Sequence, residues 1–344
     1  MPAIKVAIVI LNWNGKHYLE KFLPSVIYNS PKGSVFVADN YSSDDSVAFL
    51  NANYPEVTLI HNKENGGFAK GYNDALQHID AEYYVLLNSD VEVTSGWVEP
   101  VLELMDADKQ IAACQPKINA WHEKDHFEYA GAAGGFIDKY GYPFCRGRIF
   151  DELEKDEGQY NNDREIFWAT GACMFVRAEV YHKLEGFDAD YFAHMEEIDL
   201  CWRMKNIGYK VYASGQSTVY HVGGGTLNKV SPRKTYLNFR NNLITYTKNH
   251  SGSLMWLTIL YRLVLDGVAG TKFLLSGDGS HCWAVLKAHF AYYGALGKTL
   301  KKRKALRSMQ NYKPTRSGVL NGNIVALYFL AKKRKFSQIE DLVE

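Results

Sequence analysis

The chain has 344 residues, of which 47% are hydrophobic, 22% charged and 14% aromatic. That length suits two ordinary domains or one large domain with an appendage, and the composition excludes disordered, low-complexity and collagen-like classes. The net charge of +1 conceals a division: residues 1–230 hold 20 Lys and Arg against 33 Asp and Glu, whereas residues 231–344 hold 19 against 5. The acidic front and the basic rear therefore face different partners, and nucleic acid and an anionic membrane are both open for the rear.

The first apolar run, residues 6–11, stops at Asn12-Trp13-Asn14 with no basic lead and no small-residue cleavage site, so it reads as a strand and not as a secretion signal. Further β-rich runs are expected at residues 34–39, 57–61, 83–88 and 111–114. Helical stretches at 18–28, 43–53, 68–79 and 96–107 lie between them. This alternation predicts an α/β fold with a mostly parallel sheet flanked by helices. Residues 120–165 read as irregular, with the acidic run 151–157 as a solvated loop. Order returns with a strand at 172–177, helices at 178–184 and 197–207, and strands at 209–213 and 217–221. Beyond Ser231-Pro232 the spacing predicts helices near 236–248, 254–269, 283–296 and 323–333. Five cysteines lie far apart without a CxxC pair, which argues against disulfides or a Cys-rich zinc site and for a reducing, cytoplasmic setting. No apolar run reaches the roughly 18–20 residues that a membrane-crossing helix needs.

Parallel sheets bind ligands beyond the carboxyl ends of their strands. Those ends here are Asn12-Trp13-Asn14-Gly15, Asp39-Asn40, His61-Asn62 and Asn88-Ser89-Asp90. Helix caps from Ser42, Ser43 and Asp44 explain one polar tip, but four on one edge point to a ligand cleft. Asp90 sits where a carboxylate can hold a hard cation, although Asn-Ser-Asp is also a common turn. His221, followed by Gly223, Gly224 and Gly225, is either structural or, with a carboxylate, a ligand for Mn²⁺ or a similar ion. Glu196-Glu197-x-Asp199 is either a helix first turn favoured by the dipole or the source of a general base. Asn65-Gly66-Gly67, running on to Asn73, is either a glycine-rich turn or a close approach for a phosphate or sugar.

In this order the strings "VAIVILNWNG", "VADNYSSDDS", "NKENGGFAKGYNDAL", "YYVLLNSDVEV", "WATGACMFVRAEVYHKLEGFDADYFAHMEEIDLCWR" and "VYHVGGGT" resemble glycosyltransferase family 2, the inverting GT-A enzymes, and in particular its rhamnosyltransferase-like branch. The resemblance covers residues 4–250. It implies a Rossmann-like GT-A catalytic domain over 1–230 and a basic, apolar helical region over 231–344. It implies transfer from a UDP- or dTDP-linked sugar to a hydroxyl of a glycan or lipid-linked acceptor in cell-surface polysaccharide synthesis. Asn12, Asn14 and Asp39 then line the base pocket, and Asn65, Gly67, Asn73, Asn88, Ser89 and Gly171 complete the nucleotide-sugar site. Asn88 stands where the family has Asp. Asp90 and His221 would hold a divalent cation, Mn²⁺ or Mg²⁺, and Glu197, with Glu196 beside it, fills the slot of the base. The basic cluster 298–307 and Trp256 would give peripheral contact with the inner face of the membrane, and no nucleic-acid module accompanies the charges. Two other classes stay open: a catalytically silent sugar-nucleotide-binding protein, and a nucleotidyltransferase releasing pyrophosphate.

Overall fold

A computed structural model of the chain describes residues 4–223 and 231–344. The first strands are β1 (Ile4–Asn12), β2 (Val35–Asp39), β3 (Thr58–His61), β4 (Ala81–Asn88), β5 (Val91–Val93) and β6 (Ile111–Ala120). Short strands follow: β7 (Gly135–Asp138), β8 (Pro143–Cys145), β9 (Arg148–Ile149), β10 (Glu152–Leu153) and β11 (Arg164–Ile166). The last are β12 (Cys173–Arg177), β13 (Lys210–His221) and β14 (Val319–Leu320). The helices are α1 (Lys16–Tyr28), α2 (Ser46–Asn53), α3 (Gly67–Leu76), α4 (Glu99–Ala107), α5 (Ala178–Lys183) and α6 (Glu196–Asn206), then α7 (Pro232–Asn249), α8 (Met255–Leu275), α9 (Gly279–Arg307) and α10 (Ile324–Phe329).

The main sheet runs β11-β13-β6-β12-β4-β1-β2-β3, with β5 on β13. Strands β4, β1, β2 and β3 are mutually parallel, and β6 pairs parallel with β13, while β12 runs antiparallel between β4 and β6. The carboxyl ends of β1, β2, β3, β4, β6 and β13 therefore share one edge. The continuous apolar runs of β1 and β4 follow from burial on both faces: Val6, Ile8 and Ile10 enter one core and Ala7 and Val9 the other. At about 1.5–3 kcal/mol per fully buried aliphatic side chain, these central strands anchor the edge that carries the site. All five cysteines are free thiols.

Five expectations are corrected. Residues 120–165 are not irregular: β7 to β10, with β14, form a second sheet in the order β10-β9-β8-β7-β14, whose strands are too short to show a period. Nor is the acidic run simply solvated. Asp156 pairs with Lys117 at 2.8 Å, Glu152 with Arg334 at 2.9 Å, and Glu154 accepts from Phe336 N at 3.1 Å. The two strands expected at 209–221 are one, β13, because a register shift between Ser214 and Thr218 absorbs Gly215, Gln216 and Ser217. Helix α9 continues through Gly294 and Gly297 into the basic cluster. The glycine cost of about 1 kcal/mol each is offset by packing against α7 and α8. At the other extreme α10 stops at Phe329.

The basic cluster is largely spent inside the molecule. Lys298 Nζ lies 2.7 Å from Asp190, Lys302 pairs with both Asp188 and Asp190, and buried Arg303 donates to the Thr247 carbonyl at 2.7 Å. Lys301 and Lys304 remain exposed.

Candidate active site

At the β1 and β2 tips, Asn12 and Asp39 are partners in register. Asn12 Nδ2 donates to Ser42 Oγ at 3.2 Å, and Asp39 Oδ2 accepts from Ser42 N at 3.1 Å. Asn14, in the left-handed region at φ 51°, accepts from Ser43 N at 2.7 Å and Asp44 N at 3.3 Å. Asp44 in turn accepts from Lys16 N and Ser46 N, both at 3.1 Å, capping α1 and α2 together. Asn12, Asn14 and Asp39 thus come together, with Gly15 held small by Asn12 Oδ1, which a Cβ there would meet at 2.5 Å.

The glycine-rich segment faces the next turn along the edge. Gly67 has φ +79°, and a Cβ there would sit 2.5 Å from the Phe192 carbonyl, which also accepts from Phe68 N at 2.8 Å. Asn65 Oδ1 accepts from Gly67 N at 3.0 Å and from Asn40 Nδ2 at 3.0 Å. Gly171 keeps room for the Phe68 ring. Both ends of Asn73 are engaged, donating to Phe187 O at 2.7 Å and accepting from Tyr181 O–H at 2.6 Å. These residues shape the rim and hold α3 against the Phe192 turn. Gly67→Ala is expected to destabilise the chain by about 1–3 kcal/mol through strain and collision, read as a lowered Tm in thermal unfolding.

A second cluster forms where β4 ends. Antiparallel pairing of β13 with β5 sets His221 opposite Val91, so its imidazole lands beside Asp90. His221 Nε2 lies 3.2 Å from Asp90 Oδ1 and 3.3 Å from Asn88 Nδ2, and its Nδ1 lies 3.2 Å from Glu128 Oε2. All three ionisable groups are buried. Burial pulls the imidazole pKa down, but the two carboxylates overcome it and raise it to about 10. Burial likewise pushes Asp90 up, and His221 more than reverses it. Gly223 has φ +73°, and a Cβ there would collide with the Glu128 carboxylate. Glu128 was not marked by the sequence: it lies in an aperiodic stretch, and only the fold brings it to His221. Gly224 and Gly225 lie outside the described residues.

Glu196 and Glu197 open α6 after a turn in which Phe192, His194 and Met195 all have positive φ, 65°, 68° and 75°. Non-glycine residues in this region carry strain. The turn is held from two sides: by Phe68 N on Phe192 O, and by Asn241 Nδ2 of α7, which lies 2.9–3.1 Å from the carbonyls of Tyr191, Ala193 and His194. Glu196 Oε2 and Glu197 Oε2 are both buried with no hydrogen-bond partner. Burial lifts the Glu197 carboxyl to about 7, and burial together with the Glu197 charge lifts Glu196 well above the usual carboxylate range. Asp199 differs from both. Fully buried, it accepts from Arg203 at 2.8 Å, Lys248 at 2.9 Å and Asn249 at 2.7 Å, and so ties α6 to α7.

A cation is tested against this donor set. Asp90 Oδ1 and His221 Nε2 form an ion pair at 3.2 Å, and once the imidazole gives up its Nε2 proton the two atoms are a donor set that suits Mn²⁺ or Mg²⁺. Among the described residues no three His, Cys, Asp or Glu side chains converge as a complete metal site. The pair would supply two ligands to such an ion.

The α/β sheet thus carries two clusters of ionisable groups, the Glu196–Glu197 carboxyls, each with one unpartnered buried oxygen, and the Asp90–His221 pair. The model of glycosyl transferase family 2 matches residues 7–184, and the chain belongs to that family; it is a glycosyltransferase using a nucleotide-sugar donor. It is 25% identical over 239 residues to the N-acetylglucosaminyl-diphospho-decaprenol L-rhamnosyltransferase of Mycobacterium tuberculosis, covering 64% of this chain and 76% of that one. It is 21% identical over 212 residues to rhamnosyltransferase WbbL of Escherichia coli, covering 60% and 79%. Among solved structures it is similar to GalNAc-T7 with UDP, GalNAc and Mn²⁺ (TM-score 0.54, 15% identity), covering 71% of this chain but only 48% of that one. It is also similar to the mannosyltransferase PcManGT of Pyrobaculum calidifontis with GDP-Man and Mn²⁺ (TM-score 0.50, 15% identity, 91% and 84% covered). These two likenesses show the GT-A fold.

Proposed function

We propose that the chain is an inverting, metal-dependent hexosyl- or deoxyhexosyltransferase. It moves a sugar from a UDP- or dTDP-linked donor to a hydroxyl of a glycan or lipid-linked acceptor in cell-surface polysaccharide synthesis. The observation that carries this reading is Glu197: a carboxylate at a helix N-terminus, one oxygen unpartnered and water-excluded, with a pKa lifted to about 7, which is where a general base works best. Glu197 takes the proton of the acceptor hydroxyl as that oxygen attacks the anomeric carbon. The nucleoside diphosphate leaves from the opposite face, and one displacement inverts the centre. Asn12, Asn14 and Asp39 serve the base, and Asn88 and Ser89 the sugar diphosphate. Asn65, Gly67, Asn73 and Gly171 form the supporting rim. Asp90 and His221 would hold the cation, which when bound offsets charge on the leaving diphosphate. Both named relatives are rhamnosyltransferases, and the Mycobacterium one acts on a diphospho-decaprenol-linked acceptor, which favours a deoxyhexose and a peripheral position on the inner face of the membrane.

Asp90→Ala and His221→Ala test the cation assignment. Each is expected to abolish the Mn²⁺-dependent part of nucleotide-sugar binding in calorimetric titration while the far-ultraviolet circular dichroism spectrum stays native. Unchanged metal-dependent affinity in both variants removes the assignment.

A further inference from the structure

Helices α8 and α9 form an antiparallel hairpin: Asp266 Oδ2 of one lies 3.2 Å from His289 Nε2 of the other, and Gly270 faces Cys282 and Val285. The inner face of this hairpin is buried, as Ile259, Arg262, Ala284, Val285 and Ala288 show. Its outer face is not. Leu257, Leu260, Val264 and Val268 of α8 recur at helical spacing and are each 60–64% exposed. On α9, Trp283, Leu286, Phe290 and Tyr293 repeat the pattern, with Phe290 70% exposed. An unpartnered apolar face of this extent marks an interaction surface.

The charges beside it identify the partner. Residues 254–339 contain two acidic residues, Asp266 and Asp278. The first is buried against His289, and the second sits before α9, in the turn between the helices. Lysines frame the patch. Lys287 lies over the Trp283 ring and Lys272 over the Phe329 ring, at 5.6 and 5.9 Å from the centroids, and Lys332 and Lys333 follow exposed Leu330. None of these four pairs with a carboxylate among the described residues. A two-fold contact between copies would bring lysines against lysines, whereas anionic headgroups complement them while the apolar side chains enter the interface. Among the described residues no helix is long and apolar enough to cross a membrane.

We infer that the outer face of the α8–α9 hairpin is a monotopic docking surface for an anionic phospholipid bilayer, inserted through its apolar side chains. This rests on the reading of a lipid-linked acceptor and locates its contact on the hairpin face, not on the 298–307 cluster, of which Lys298, Lys302 and Arg303 are engaged within the chain. Through Lys298 and Lys302, α9 also holds Asp188 and Asp190 ahead of Glu196, which fixes the catalytic turn relative to the docked hairpin.

The test is flotation of the full chain with phosphatidylglycerol–phosphatidylcholine vesicles and with phosphatidylcholine vesicles, beside a Leu260→Gln/Val264→Gln/Phe290→Gln variant. The native chain is expected to float with the anionic vesicles. The triple variant is expected to lose at least tenfold in partition, with Mn²⁺-dependent nucleoside diphosphate release from donor sugars unchanged. A native chain that stays behind at low salt overturns the inference, as does a triple variant that floats equally well. A native dimer seen by light scattering and dissolved by the triple substitution also overturns it and assigns the face to a second copy. If vesicles bind but no donor is turned over, the proposed function fails and the docking surface stands.

Discussion

Glu197→Gln is expected to bind the donor as the native chain does and to lose about 10²–10⁴-fold in transfer, the usual contribution of a general base. Gln keeps the shape and cannot take a proton. With the carboxyl lifted to about 7 by burial, native kcat/KM should rise about tenfold per pH unit below 7 and level off above it, and the residual rate of the variant should lack this limb. The same burial carries a stability signature. The folded chain keeps a proton that the unfolded chain releases between the ordinary glutamate range and about 7, so folding stability falls as pH rises through that window and is constant above it. Glu197→Gln escapes this loss and should gain on the order of 1–3 kcal/mol over the native chain at pH 8 relative to pH 5, read by denaturant unfolding at both pH values. Full transfer by Glu197→Gln with an inactive Glu196→Gln moves the base one residue back.

Asp199→Ala is expected to cost about 3–5 kcal/mol, because it leaves Arg203 and Lys248 as buried charges short of a partner. Asp199 Oδ2 meets both cations, at 2.8 and 2.9 Å, while Oδ1 accepts from Asn249 at 2.7 Å and Tyr191 O–H at 3.2 Å. Lys248 also reaches Asp188 at 2.7 Å, and Arg203 donates to the carbonyls of Leu184 and Gly186 at 2.7 and 2.8 Å. The hub therefore joins α6 and α7 to the 184–188 segment that leads into the Phe192–Met195 turn. Urea unfolding should show a lower midpoint with an unchanged m-value. A change under about 0.5 kcal/mol, the usual scale of a neutral surface substitution, would mean that the cluster does not hold the helix.

The parallel half of the sheet was legible because β1 and β4 are buried on both faces and read as unbroken apolar runs. Once their ends were located, Asp39, Asp90 and His221 could be placed on one edge. What pairing over long sequence separation creates was not legible. Glu128 reaches His221 from a segment without periodicity, Asn241 clamps the Phe192–Met195 turn from a helix some fifty residues on, and the left-handed geometry of that turn has no glycine to announce it. Counting charges could not show where two of the tail's lysines go, for the same reason. Lys298 and Lys302 looked free in composition, yet they are neutralised by Asp188 and Asp190. Asp199 looked like a third acid of the Glu196–Glu197 site and is instead bound on every side.

The central claim is tested most directly by the phosphorus-containing product released from a panel of UDP-, dTDP- and GDP-linked sugars with Mn²⁺, followed by ³¹P NMR. The account predicts nucleoside diphosphate from a UDP- or dTDP-linked donor, dependent on the cation and lost in Asp90→Ala. Pyrophosphate as the product, or donor binding without any release, would contradict it.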